Sequence, residues 1–253
     1  MNSDPSPDSP LVARFVPSPN FGERRHPGEP NCLILHYTGM PTGEAAFDLL
    51  IDPASEVSAH YFVWEHGRID QLVAEGARAW HAGHSFWKGE SDLNSVSIGI
   101  EIENPGHDGG LPPFPDEQIA ATIALSRDVC ARWSIRPERV LAHSDVAPLR
   151  KRDPGEGFPW RRLWEEGVGH WVEPAPIGGG ALFRHREEGP PVRALQAMLA
   201  LYGYELEPTG VYDGRTRAVV AAFQRHFRPE RVDGEADTST VGTLKALIER
   251  LAL

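Results

Sequence analysis

Hydrophobic positions fall in short runs and alternations over the first two thirds of the chain and at helical spacing over the last quarter. Cys32–His36 is a brief apolar run bounded by polar residues, the mark of a buried strand. Ala59–Trp64 and Arg68–Val73 flank Glu65-His66-Gly67 as a hairpin, and Val96–Glu103 and Arg139–Ala142 read as further strands. Between them, Asp116–Trp133 carries Ile119, Ile123, Val129 and Trp133 on one helical face. This alternation predicts an α/β fold, a mixed central β-sheet flanked by helices. Further on, Val192, Leu195, Leu199 and Tyr202 share one helical stripe. Val219, Val220 and Phe223 do so after Asp213-Gly214, and Val241, Leu244, Leu247 and Ile248 after Asp237. They predict a small C-terminal three-helix domain of about sixty residues, near the lower limit for independent folding.

Proline and glycine place the boundaries. Seven prolines within the first thirty residues predict an extended, irregular arm over 1–30. Pro174-Ala-Pro-Ile-Gly-Gly-Gly180 and then Gly189-Pro-Pro191 have linker composition. The expected division is therefore 1–175, a linker over 176–190, and 191–253. Charge divides at nearly the same place: residues 1–180 hold 15 Lys+Arg against 26 Asp+Glu, a difference of −11, whereas 181–253 hold 10 of each.

The acidic balance argues against a nucleic-acid partner, since phosphate binding rests on cationic side chains. No apolar run is long enough to span a bilayer. Residues 1–10 offer neither a basic stretch nor an apolar core of the secretory type, so the chain as written is expected in the cytoplasm, or in the periplasm or cell envelope if a leader has been removed. Cys32 and Cys130 lack the spacing of a metal site and read as small buried hydrophobes.

Three features carry candidate chemistry. His36 ends the first strand run and opens the turn Tyr37-Thr-Gly39. In Ser97-Ile-Gly-Ile-Glu-Ile-Glu103, Ile98, Ile100 and Ile102 share one face while Gly99, Glu101 and Glu103 share the other. A glycine inside a strand points to close approach by another group, and a carboxylate facing a cleft can serve as a general base. In His143-Ser-Asp-Val-Ala-Pro-Leu-Arg-Lys-Arg-Asp-Pro154, a turn-rich loop returns Asp153 beside His143, with Lys151 two residues before it. Two histidines after separate strands plus one carboxylate match the composition of hydrolytic zinc sites, with a fourth position open. A solvated loop and a strand with one wet face are the competing readings. Of the other histidines, His60 and His81 sit in distinctive local contexts, while His26, His66, His84, His107, His170, His185 and His226 read as loop or exposed positions.

In order along the chain, His36-Tyr-Thr, Val57-Ser-Ala-His-Tyr61, Ala79-Trp-His-Ala-Gly83, Asn94-Ser-Val-Ser-Ile-Gly-Ile-Glu-Ile-Glu-Asn104 and His143–Gly155 resemble the successive motifs of the zinc-dependent N-acetylmuramoyl-L-alanine amidases of type 2, relatives of peptidoglycan recognition proteins. Leu201-Tyr-Gly-Tyr204 and Ala222–Pro229 resemble the helical peptidoglycan-binding module that some of these amidases carry. The resemblance implies one Zn²⁺ per chain on His36, His143 and Asp153, Glu101 as acid/base, and Lys151 as oxyanion stabiliser. It further implies substrate contacts from Tyr37, Trp80, His81 and Asn94. Peptidoglycan or a muropeptide is the partner implied, acted on by a monomer. Glu56 and Asp92 are acidic where cytosolic recycling members are expected to carry basic residues, and a wall-binding module favours polymeric substrate. A non-catalytic recognition protein and a zinc peptidase acting on the stem peptide are the alternatives.

Overall fold

The computed structural model describes residues 6–25 and 29–251; the first five residues of the expected arm and His26 lie outside it. Eighteen elements follow in chain order: β1 Arg14–Phe15, β2 Phe21–Glu23, β3 Cys32–Tyr37, α1 Gly43–Ile51, β4 Tyr61–Val63, β5 Ile69–Gln71, β6 Ala77–Ala79, α2 Leu93–Val96, β7 Ser97–Ile102, α3 Asp116–Trp133, β8 Val140–Ala142, α4 His143–Val146, α5 Trp160–Glu165, β9 Ala181–Phe183, α6 Pro190–Tyr202, α7 Gly214–Phe227, β10 Ala236–Asp237 and α8 Thr238–Leu251. A six-stranded sheet runs in the order β1-β5-β4-β7-β3-β8. Its centre is parallel, with β3 between β7 and β8 and β4 on the far side of β7, while β4 and β5 form the antiparallel hairpin. The sheet is mixed and flanked by helices, as the alternating pattern predicts.

Register places the chemistry. His36 on β3 stands directly across from Glu101 on β7, so neighbouring strand ends deliver an imidazole and a carboxylate to the same edge of the sheet. Ile98, Ile100 and Ile102 on the opposite face are fully buried. Gly99 answers the expectation of close approach: a Cβ there would lie 2.5 Å from the His81 ring.

The structure corrects four local expectations. The arm is not irregular throughout, because β1 pairs in parallel with β5 and β2 antiparallel with β6; Pro17 and Pro19 fall between these strands, where no ladder hydrogen bond is lost. The 176–190 segment contains β9, paired antiparallel with β10. Pro190 and Pro191 open α6 instead of ending a linker, because proline at the first helical positions gives up only N–H groups that a helix start leaves unpaired. His143 begins a helical turn, α4, too short to announce itself by periodicity.

Asp213 and Asp237 start α7 and α8 as expected, each accepting the backbone N–H three residues on, Thr216 at 2.8 Å and Thr240 at 2.7 Å. The helical unit does not stand apart from the sheet. Leu195, Leu199, Tyr202 and Phe227 belong to the same continuous core as Ile98, Trp160 and Trp171. A Cβ on Gly203 would lie 2.5 Å from the buried Trp87, so glycine permits this contact between the two units.

Candidate active site

The site lies at the edge of the sheet where β3, β7 and β8 end. His36 and Glu101 come from the strand ends, while His143, Lys151 and Asp153 come from α4 and the loop after it. His36 and His143 are almost fully buried, and Asp153 is 5% exposed. Their ligand atoms converge. His36 Nδ1 lies 2.9 Å from His143 Nδ1 and 3.1 Å from Asp153 Oδ2, and His143 Nδ1 lies 2.9 Å from the same oxygen. Glu101 Oε1 stands 4.0 Å from His36 Nδ1.

The surrounding hydrogen bonds assign the proton on each ring. The Ser97 hydroxyl donates to the Leu93 carbonyl at 2.5 Å, leaving its oxygen to accept from His81 Nε2–H at 3.2 Å. His81 Nδ1 is then an acceptor and takes the His36 Nε2–H at 3.0 Å. The His143 Nε2–H donates to the Ala82 carbonyl at 3.2 Å. Both imidazoles therefore turn a bare Nδ1 lone pair toward the Asp153 carboxylate. Three acceptors facing one another with no proton between them repel unless a cation sits among them. The donor set thus fits a metal ion, and its two nitrogens and one oxygen suit zinc. His81 and the Ala82 carbonyl fix ring orientation and tautomer from behind.

Electrostatics agree with this arrangement. Burial, then repulsion from His143, pulls His36 down to about 4, so it stays neutral near pH 7. Burial pushes the Asp153 carboxyl up, yet beside His143 and His36 it lies below the usual carboxylate range and stays ionised. Burial, then the Asp153 charge, raises Glu101 well above the usual carboxylate range, against the opposing pull of Lys151. Glu101 Oε2 is buried without a hydrogen-bond partner among the described residues, as suits a group that takes and returns a proton. Glu103 turns away, its carboxylate accepting the Glu65 N–H at 2.8 Å.

A cavity of about 390 Å³ opens over these residues, with Tyr37, Trp80, His81 and Arg150 in its walls beside Glu101, His143, Lys151 and Asp153. Tyr37 is held by a 3.0 Å hydrogen bond between its hydroxyl and His107 Nδ1. Arg150 is tied to the Ala82 and His84 carbonyls at 2.8 and 2.9 Å. Asn94 departs from its expected role as a substrate contact. It is buried away from the cavity, and its side-chain oxygen accepts the His81 and Ala82 N–H groups at 3.1 and 2.7 Å. Asp92 is likewise engaged, 2.7 Å from Arg78.

From sequence, His226 is expected among the loop or exposed positions. It is instead 2% exposed, stacked 3.8 Å from Trp160 and hydrogen-bonded through Nδ1 to Asp145 Oδ2 at 2.6 Å. The signal was present in the pattern: Val219, Phe223, His226 and Phe227 share one helical stripe. Cys32 and Cys130 have no disulfide, and burial pushes both thiols up to about 12, which leaves them inert. Among the described residues, no helix is long and apolar enough to cross a membrane.

Residues 26–156 match the family model for N-acetylmuramoyl-L-alanine amidase, and residues 188–244 match one for a peptidoglycan binding domain. N-acetylmuramoyl-L-alanine amidase AmiD of Escherichia coli strain K12 is 40% identical over 230 residues, which cover 86% of this chain and 82% of that protein. Two solved structures superpose over nearly the whole chain. AmiD from E. coli, in complex with the substrate anhydro-N-acetylmuramic acid-L-Ala-D-gamma-Glu-L-Lys, gives a TM-score of 0.75 at 37% identity, covering 91% of this chain and 98% of that one. AmpDh3 from Pseudomonas aeruginosa, in complex with anhydromuramic pentapeptide, gives 0.75 at 33% identity and covers 99% of both chains.

Proposed function

Because the chain belongs to the N-acetylmuramoyl-L-alanine amidase family, we propose that it cleaves its amide bond through zinc held by His36, His143 and Asp153, with Glu101 as acid/base and Lys151 beside the oxyanion. The protein is an amidase that separates N-acetylmuramic acid from L-alanine in peptidoglycan or muropeptides. The observation that carries the metal reading is the convergence of two bare Nδ1 lone pairs on one carboxylate, all within 4.8 Å of one another.

Zinc bound there supplies Lewis-acid polarisation of the scissile carbonyl and lowers the pKa of a water molecule toward ~7. Glu101, raised above the usual carboxylate range by burial and by the Asp153 charge, takes the proton of the attacking water as the carboxylate and returns it to the L-alanine nitrogen, which leaves as a neutral amine. Lys151, in the cavity wall, meets the negative charge that develops on the carbonyl oxygen. Tyr37, Trp80 and His81 border the space where the sugar and first residues of the stem lie, and Arg150 and Lys151 add positive charge to the cleft of an otherwise acidic segment.

Residues 191–253 are proposed to hold the enzyme on the wall polymer, and 1–175 to form the catalytic unit. Incubation of zinc-loaded protein with a soluble anhydro-muropeptide and with insoluble sacculi, followed by mass spectrometry, tests the whole reading. Intact stem peptides free of sugar are the expected products. Products cut within the stem would identify a peptidase, and binding without turnover a recognition protein.

A further inference from the structure

The most heavily engaged carboxylate near the site is one that the chemistry above does not use. Asp145 is 1% exposed and lies two residues after His143 on α4. It accepts the Ala142 N–H at 2.9 Å from its own turn, and its two remaining donors come from the C-terminal unit: the Tyr204 hydroxyl at 2.7 Å and His226 Nδ1 at 2.6 Å. A buried carboxylate without such donors is costly, so each of them constrains where α4 can sit.

That short turn holds both loop-borne ligands. His143 is its first residue, and the Ser144 N–H donates to the Asp153 carbonyl at 3.0 Å, pinning the backbone of the second. The segment behind it is anchored in the same way. The Phe86 N–H donates to the Val146 carbonyl at 2.9 Å and the Lys88 N–H to the Gly203 carbonyl at 2.9 Å, so the strand of chain that begins at Ala82, the acceptor for His143, is also fastened to the helical unit. Stacking of His226 on Trp160 completes the contact.

We propose that the C-terminal helical unit is a positioning element of the metal site: Tyr204 and His226 lock Asp145, and through it the turn that presents His143 and Asp153. The unit then contributes to metal affinity and turnover on soluble substrate, apart from any grip on the wall. This inference rests on the reading of His143 and Asp153 as metal ligands.

Point variants of the full chain test it, with Zn²⁺ affinity measured by chelator competition alongside kcat and KM on a soluble anhydro-muropeptide. Tyr204→Phe removes one hydroxyl and should lower Zn²⁺ affinity and kcat roughly 10-fold while KM moves less than about twofold, the scale seen when a group supporting a metal ligand is lost. His226→Leu should do the same, and His226→Gln, which keeps a donor, should recover most of the loss. Leu247→Ala, a cavity in the buried core of the same unit, should lower the thermal midpoint yet leave Zn²⁺ affinity within about twofold of wild type. Unchanged affinity in Tyr204→Phe, or an equal loss in Leu247→Ala, would overturn the positioning role while leaving the amidase reading intact. Failure of the wild-type protein to bind Zn²⁺ would overturn the metal reading and this inference with it.

Discussion

The proposed metal site is built in two halves by different means. His36 and Glu101 sit at the ends of adjacent strands in register, and the ladder of β3 and β7 sets their separation. His143, Lys151 and Asp153 come from a helical turn and a loop with no ladder behind them. His143 donates to the Ala82 carbonyl on one side, and on the other the turn that carries it is held through Asp145, which accepts from Tyr204 and His226, both distant in sequence. A sheet supplies precision through its backbone, whereas a loop must acquire it from the rest of the chain. The proposed catalytic carboxylate therefore rests on the rigid half and two of the three proposed ligands on the half that needs support.

Variants should separate the halves. The largest effect is expected for His143→Ala, which removes a ligand: zinc content by atomic emission should fall to background and turnover with it. Retained zinc would show that the loop half is dispensable. Lys151→Ala should keep its zinc and lose about 10²–10³ in kcat, the usual cost of removing one donor to a developing oxyanion. A loss confined to KM would instead make Lys151 a ground-state contact. In the strand half, His81→Phe removes the acceptor behind His36 and should weaken zinc binding about 10- to 100-fold, read by chelator competition; wild-type affinity would show that the ladder alone orients His36.

The smallest effect concerns acid. His60 Nδ1 accepts the Gly99 N–H at 2.9 Å, which a protonated ring cannot do, and burial followed by the Arg24 charge pulls the group from 6.5 down to about 3. Unfolded chains bind that proton first, so stability falls as pH drops through the window between these two values. Thermal midpoints of His60→Gln should decline less steeply than those of wild type across the window; equal slopes would remove His60 from the account.

The strand half was legible because alternation is a strong signal. Gly99 among isoleucines marked a close approach, and the structure identifies the approaching group as the His81 ring. His36 was legible as a strand end. On the loop side, the spacing of His143 and Asp153 was visible, but α4 was not, since four residues carry no period. For Asn94, a motif names a residue without saying whether its side chain faces the cavity or the backbone, and here its oxygen accepts two backbone N–H groups. His226 was missed for a related reason. Its stripe was apolar, yet only tertiary packing shows that a helix face covers a carboxylate. The proline and glycine clusters, read as a spacer, leave the helical unit inside one continuous core with the sheet.

The most direct test of the central claim is Glu101→Gln, assayed for bound zinc and for release of stem peptide from a soluble anhydro-muropeptide in the same preparation. One zinc per chain, as in wild type, and a fall in turnover of about 10²–10⁴ are expected. Turnover near that of wild type with zinc retained would contradict it.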